Sequence, residues 1–212
     1  MKIMKVLLAM ILLSVSIFPL AAVAKTDFKD VTQDFWAKED INFLAERKVI
    51  FGYSNGNFGV GDHIRRSDAA VMIVRALGID TKKRPTPKFK DVTPSSYAYD
   101  AIAAVTDEEI FYGNNGEFKP SDTLTRAEMA AILTRAFQLT GKGEKVSFKD
   151  VPQTVWHYAS VQALVANGVT FGYSDNTFRP SDRITRAQFS AFLTRAIKQM
   201  PQEQSLQVVK IY

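Results

Sequence analysis

The chain has 212 residues, with 27 lysines and arginines against 22 acidic residues for a formal charge of +5, and it contains no cysteine. So mild a charge names no partner by itself and argues against a nucleic-acid binder, which would carry a denser basic stripe. Without cysteine there are no disulfides, zinc–thiolate sites or thiol nucleophiles, and stability has to come from packing.

Residues 1–24 read as a signal peptide: Lys2 and Lys5 open it, an apolar run follows from Val6, and Ala22-Val23-Ala24 forms a cleavage site. The alternative for that stretch is an uncleaved membrane anchor. With the leader removed the charge falls to +3, from 25 basic and 22 acidic residues. The mature protein is expected to be exported, with no membrane contact after cleavage.

Three related units come next, predicted at 25–84, 85–144 and 145–200, followed by a tail at 201–212. Phe28-Lys29-Asp30-Val31 recurs as Phe89-Lys90-Asp91-Val92 and as Phe148-Lys149-Asp150-Val151, and each copy leads to an arginine at a helix start: Arg66, Arg126 and Arg186. Recurrence at a fixed period marks a repeat protein. A unit of about 50 residues is near the lower limit for a self-sufficient core, so the copies are expected to share buried surface.

Each unit reads as helix, ordered loop, helix. In the first helices, Asp34 is a candidate cap, and the apolar pairs Ile41/Leu44, Ile102/Val105 and Val161/Leu164 stand one turn apart. Trp36, Tyr97 and Trp156 open these helices and read foremost as wedges packed into the core. Trp36 and Trp156 are also candidate ligand-binding residues. The loops place turn residues between aromatics, as in Tyr53-Ser54-Asn55-Gly56-Asn57-Phe58, which suggests a tight turn or short hairpin. They hold too few acids for a calcium loop, and no metal or cofactor is expected.

The second helices carry the clearest period. Ala69, Met72, Ile73, Ala76 and Leu77 fall at i, i+3, i+4, i+7 and i+8, as do Met129, Ile132, Leu133, Ala136 and Phe137, and Phe189, Phe192, Leu193, Ala196 and Ile197. All three stripes are equally apolar, whereas an open solenoid has polar outer faces on its end repeats, so a closed pseudo-threefold trimer of units with a shared helical core is predicted. The connectors are a Pro-containing stretch at 81–88, whose Lys82-Lys83-Arg84 cluster reads as solvated, and a Gly-containing one at 141–145.

Thr125-Arg126-Ala127-Glu128 and Thr185-Arg186-Ala187-Gln188 match the capping box, which accounts for Thr125, Glu128, Thr185 and Gln188. It does not account for the arginine, since a cation in the first turn opposes the helix dipole at a cost of about 0.3–1 kcal/mol. Either each arginine forms an anion socket, or it pairs with the acid four residues before it, Asp62, Asp122 or Asp182. On the socket reading, alanine in place of Arg126 and Arg186 leaves the melting temperature nearly unchanged. Arg75, Arg135 and Arg195 sit in the last turn, where the dipole favours them and a structural role suffices.

These marks together resemble S-layer homology repeats: FKDV, an aromatic near the first helix, GY before Phe, the Phe-x-Pro-x-Asp stretch and TRAE, over about residues 28–200. The resemblance implies an all-α pseudo-trimer of helix–loop–helix units that anchors exported proteins noncovalently to anionic, typically pyruvylated, cell-wall polysaccharide in grooves between repeats. It implies a location at the cell wall or S-layer, and it makes Arg126, Arg186 and Arg66 the partners of the acidic ketal; Asp122, Asp182 and Asp62 are further candidate ligand-binding residues. The first copy departs from the pattern with Arg65-Arg66-Ser67-Asp68 and with Gly59-Val60-Gly61.

Two other readings stand beside the anchor: a self-assembling surface-coat component, associating with other surface proteins, and a wall glycan hydrolase with Asp91 and Asp150 as its carboxylate pair. The FKDV aspartates also read as turn or helix-start residues. Only His63 and His157 supply imidazoles, at unrelated repeat positions, so no catalytic residue is expected.

Overall fold

Helices form where the apolar stripes run. The protein is described here from a computed structural model covering residues 27–141, 143 and 145–200; the expected signal peptide and C-terminal tail lie outside the described residues. Among the described residues the helices are α1 (Lys38–Glu46), α2 (Arg66–Leu77), α3 (Tyr99–Asp107), α4 (Arg126–Ala136), α5 (Tyr158–Ala166) and α6 (Arg186–Lys198). Among the described residues there is no β-strand beyond isolated bridges, so the fold is all-α.

Within a unit the two helices are not the main packing partners. Instead α2 packs on α3, α4 on α5, and α6 returns to α1. Each second helix therefore buries its stripe, such as Ile73, Leu133 or Leu193, against the first helix of the next unit, where Ile102, Leu164 and Ile41 are equally inaccessible. This is how units too small for cores of their own obtain one. The backbone closes the same cycle: Leu124 N–H donates to Ile64 O (3.1 Å), Ile184 N–H to Leu124 O (2.9 Å) and Ile64 N–H to Ile184 O (3.0 Å).

Both capping boxes form. Thr125 Oγ1 accepts from the Glu128 N–H while the Glu128 carboxylate accepts from the Thr125 N–H, and Thr185 and Gln188 repeat the exchange. In α2 the N-cap is Arg65, with no side-chain cap. Thr125→Ala is expected to cost about 1 kcal/mol, read as a lower melting temperature, with no comparable loss for Arg65→Ala.

The first helices depart from expectation. Asp34 caps nothing: α1 starts from Ala37, and the Asp34 carboxylate accepts from the Thr32 hydroxyl instead (2.8 Å). These helices end on a left-handed residue, Gly168 in the third unit but Lys48 (φ 55°) and Glu109 (φ 56°) in the others. Nor is the basic connector simply solvated, because Arg84 Nη1 lies 2.7 Å from both Asp107 and Glu108 at the end of α3.

Candidate functional site

The FKDV aspartates are structural clamps. Asp30 accepts from the N–H groups of Phe58 (2.6 Å), Gly59 (2.7 Å) and Val60 (3.0 Å), Asp91 from Phe118 and Lys119, and Asp150 from Phe178 and Arg179. They reach across the unit to seat the fully buried Phe58, Phe118 and Phe178. They also hold the next residue left-handed, at φ 81° for Gly59 and 59° for both Lys119 and Arg179. With Asp91 and Asp150 committed to loop amides, the hydrolase reading loses its carboxylate pair.

Each loop so fixed presents a carbonyl to an arginine from the preceding unit. Arg66 Nε donates to Phe118 O (2.8 Å), Arg126 Nε to Phe178 O (2.7 Å) and Arg186 Nε to Phe58 O (2.9 Å). Arg66 Nη2 adds Tyr112 O (2.8 Å) and Arg186 Nη2 adds Phe51 O (3.0 Å). Arg126 and Arg186 are only 4% and 8% exposed, and burial pulls the Arg126 and Arg66 guanidinium groups below their ordinary pKa.

The spacing argument misplaced the acids. Among the described residues no ion pair joins these arginines to the aspartate four positions earlier; Arg66 N–H meets Asp122 O, Arg126 N–H meets Asp182 O and Arg186 N–H meets Asp62 O, always one unit on. The Asp62 carboxylate itself accepts from the Tyr53 hydroxyl (2.9 Å). The side chains of Asp122 and Asp182 still favour the charged forms of Arg66 and Arg126 through space, across the unit boundary.

The aromatics of the first helices are not core wedges. Trp36, Tyr97 and Trp156 are 60%, 70% and 68% exposed, and they stand at the surface. Two of them wall grooves that draw on all three units. The first groove, about 260 Å³, takes Arg186 from the third unit, Phe51, Asp68 and Arg75 from the first, and Tyr97 from the second. The second, about 290 Å³, takes Arg66 from the first, Tyr112, Glu128 and Arg135 from the second, and Trp156 from the third.

In the first groove the Tyr97 hydroxyl lies 2.5 Å from Asp68 Oδ1 and 2.9 Å from Ser67 Oγ. In the second, Glu128 is held by its capping contacts and lies 3.9 Å from Arg66. Against Trp156 the ring of His157 packs edge-on at 5.0 Å, with neither nitrogen partnered among the described residues, and burial lowers its pKa while Asp150 partly opposes that shift. The third set of equivalent positions is different: Gly172 takes φ 72°, and among the described residues the Arg126 side chain has the Phe178 carbonyl as its one hydrogen-bond acceptor.

Arg75 and Arg135 also line these grooves, a position their recurrence in register signals but their fit to the helix dipole does not reveal. No sequence signal marks which carbonyls the first-turn arginines meet, since those partners lie 52 and 128 residues away.

The S-layer homology domain profile matches three times, at residues 27–70, 88–130 and 147–190. The chain is similar to the Surface-layer 125 kDa protein of Lysinibacillus sphaericus, 35% identical over 93% of this chain and 17% of that protein. It is also 35% identical to the Cellulosome-anchoring protein of Acetivibrio thermocellus, over 82% of this chain and 39% of the relative. An Endoglucanase of a Bacillus species is 32% identical over 86% and 21% of the respective lengths. The chain thus spans well under half of each of these relatives.

Proposed function

Because the chain belongs to the S-layer homology domain family, we propose that it is a noncovalent anchoring module that binds acidic, pyruvylated cell-wall polysaccharide at the bacterial surface. The observation that carries this reading is a groove pairing an exposed ring with arginines. Tyr97 and Trp156 offer exposed rings to a sugar, and Arg186 and Arg66 line the same grooves with positive charge. Family members share this region with an S-layer protein, an anchoring protein and a glycan hydrolase, which fits a common attachment role beside different companions.

The grooves exist only when the units are docked, because each takes side chains from three units. Attachment is therefore tied to the closed fold. Two grooves engaging one polymer would also add avidity without further contacts.

Co-sedimentation with wall sacculi tests the proposal. The protein is expected to pellet with sacculi that carry the secondary polymer, to stay in solution once mild acid has removed the ketal carboxylates, and to release no reducing sugar. Unchanged sedimentation after that removal would overturn recognition of the acidic group.

A further inference from the structure

Within each groove two arginines face the same space, and they are not equivalent. Arg186 has Nε and Nη2 on Phe58 O and Phe51 O, and Arg66 has Nε and Nη2 on Phe118 O and Tyr112 O with Nη1 near Glu128. On both, the Nε–Nη2 edge, one of the two edges able to hold a carboxylate with paired bonds, is taken up in holding one unit's loop against the preceding unit. The last-turn arginines differ. Arg135 donates only Nε, to Ile110 O (2.7 Å), and Arg75 has no hydrogen-bond or ion-pair partner among the described residues.

Both last-turn guanidinium groups lie over the aromatic ring at the groove wall, Arg75 4.8 Å from Phe51 and Arg135 4.7 Å from Tyr112. Among the described residues the Nη groups of both arginines have no protein acceptor, and paired Nη donors suit a carboxylate. Charge agrees with this arrangement. Each groove has two cations and one acid, Asp68 or Glu128, leaving +1 to be matched. The acids are already engaged, Asp68 by Tyr97 and Glu128 by the Thr125 cap. Burial lowers the pKa of Arg135; Tyr112 opposes that, and the Arg66 cation reinforces it.

We propose that Arg75 and Arg135 are the residues that grip the single carboxylate of an acidic sugar, while Arg186 and Arg66 are positioning residues that hold the groove wall. This rests on the anchoring reading and divides its labour differently from the helix-start argument. The third equivalent, Arg195, is drawn away from the role: its Nη1 is 3.4 Å from Val169 O, and its charge acts on Asp40 of α1.

The test uses the full chain and wall sacculi, with sacculi stripped of ketal carboxylates as the second arm. Arg75→Gln with Arg135→Gln is expected to weaken binding to untreated sacculi about ten- to a hundredfold, the range for losing a charge-assisted contact, with the melting temperature lowered by no more than the single Arg135–Ile110 bond contributes. On stripped sacculi the variant and wild type are expected to coincide. Arg75→Lys with Arg135→Lys keeps the charge without the planar fork and is expected to recover part of the affinity, which a merely structural role would not produce. Wild-type affinity in the glutamine variant overturns this assignment alone; failure of the wild type to bind any sacculi overturns the anchoring function itself. Equal loss on stripped and untreated sacculi overturns carboxylate recognition and points to a phosphate-bearing polymer.

Discussion

Arg186→Ala is expected to destabilise the protein by about 3 kcal/mol, because two charge-assisted hydrogen bonds vanish and leave the carbonyls of Phe51 and Phe58 without their donor. For a cooperative body of this size that corresponds to a melting temperature lower by about 6–12 °C. The Arg186 side chain is one of several links from the last unit to the first, beside the Ile64–Ile184 bond, so its removal loosens the seam that α6 and α1 close. Its guanidinium also lies over Tyr53 and Phe58, at 5.1 and 4.6 Å from their ring centres, and that packing is lost too. Arg126→Ala is expected to cost less, since Arg126 Nε has one carbonyl partner where Arg186 has two. Lysine should not rescue Arg186, because one ammonium cannot reproduce the two-carbonyl geometry of the fork. Thermal denaturation checks all three. An Arg186→Ala protein melting with wild type would restore the helix-dipole expectation and remove the arginine from the ring's structure.

Asp30→Ala is expected to cost a similar amount at neutral pH, about 3 kcal/mol, because one carboxylate serves three backbone amides. The effect has a pH signature. Burial pushes the Asp30 pKa up, but the amides of Phe58, Val60 and Gly59 together outweigh it, and the folded value lies below 3.8. The unfolded chain therefore binds the proton more readily than the native protein, so this contribution is complete above pH 3.8 and is lost as pH falls through the folded value. Urea unfolding of wild type and Asp30→Ala should give a wide gap at pH 6 that narrows steadily below pH 4. A gap of constant width would mean that the side chain acts by packing and not as an ionised acceptor.

The arginines and aspartates show how far local reading reaches. Helices α2, α4 and α6 were legible because an apolar stripe of period 3.6 needs only neighbours within a few turns. The Thr125 and Thr185 caps were legible for the same reason, their partners lying three residues away. Cyclic closure also followed, from the lack of a polar end repeat. The aromatics misled because a large ring beside an apolar helix face fits a core or a groove equally well, and only the folded chain puts Trp36, Tyr97 and Trp156 outside. The acids misled because the bridge from Arg66 to Asp62 was judged by sequence distance, while the fold sets Arg66 against Asp122.

By itself, then, the sequence determined three copies of one unit, the helices within them, two of their caps, and the register that puts an arginine at each second helix start. Those features depend on contacts a few residues apart. Only the tertiary structure decided which arginines are committed to carbonyls of the neighbouring unit and which keep donors facing a groove, because that division depends on backbone groups brought together by closure of the ring.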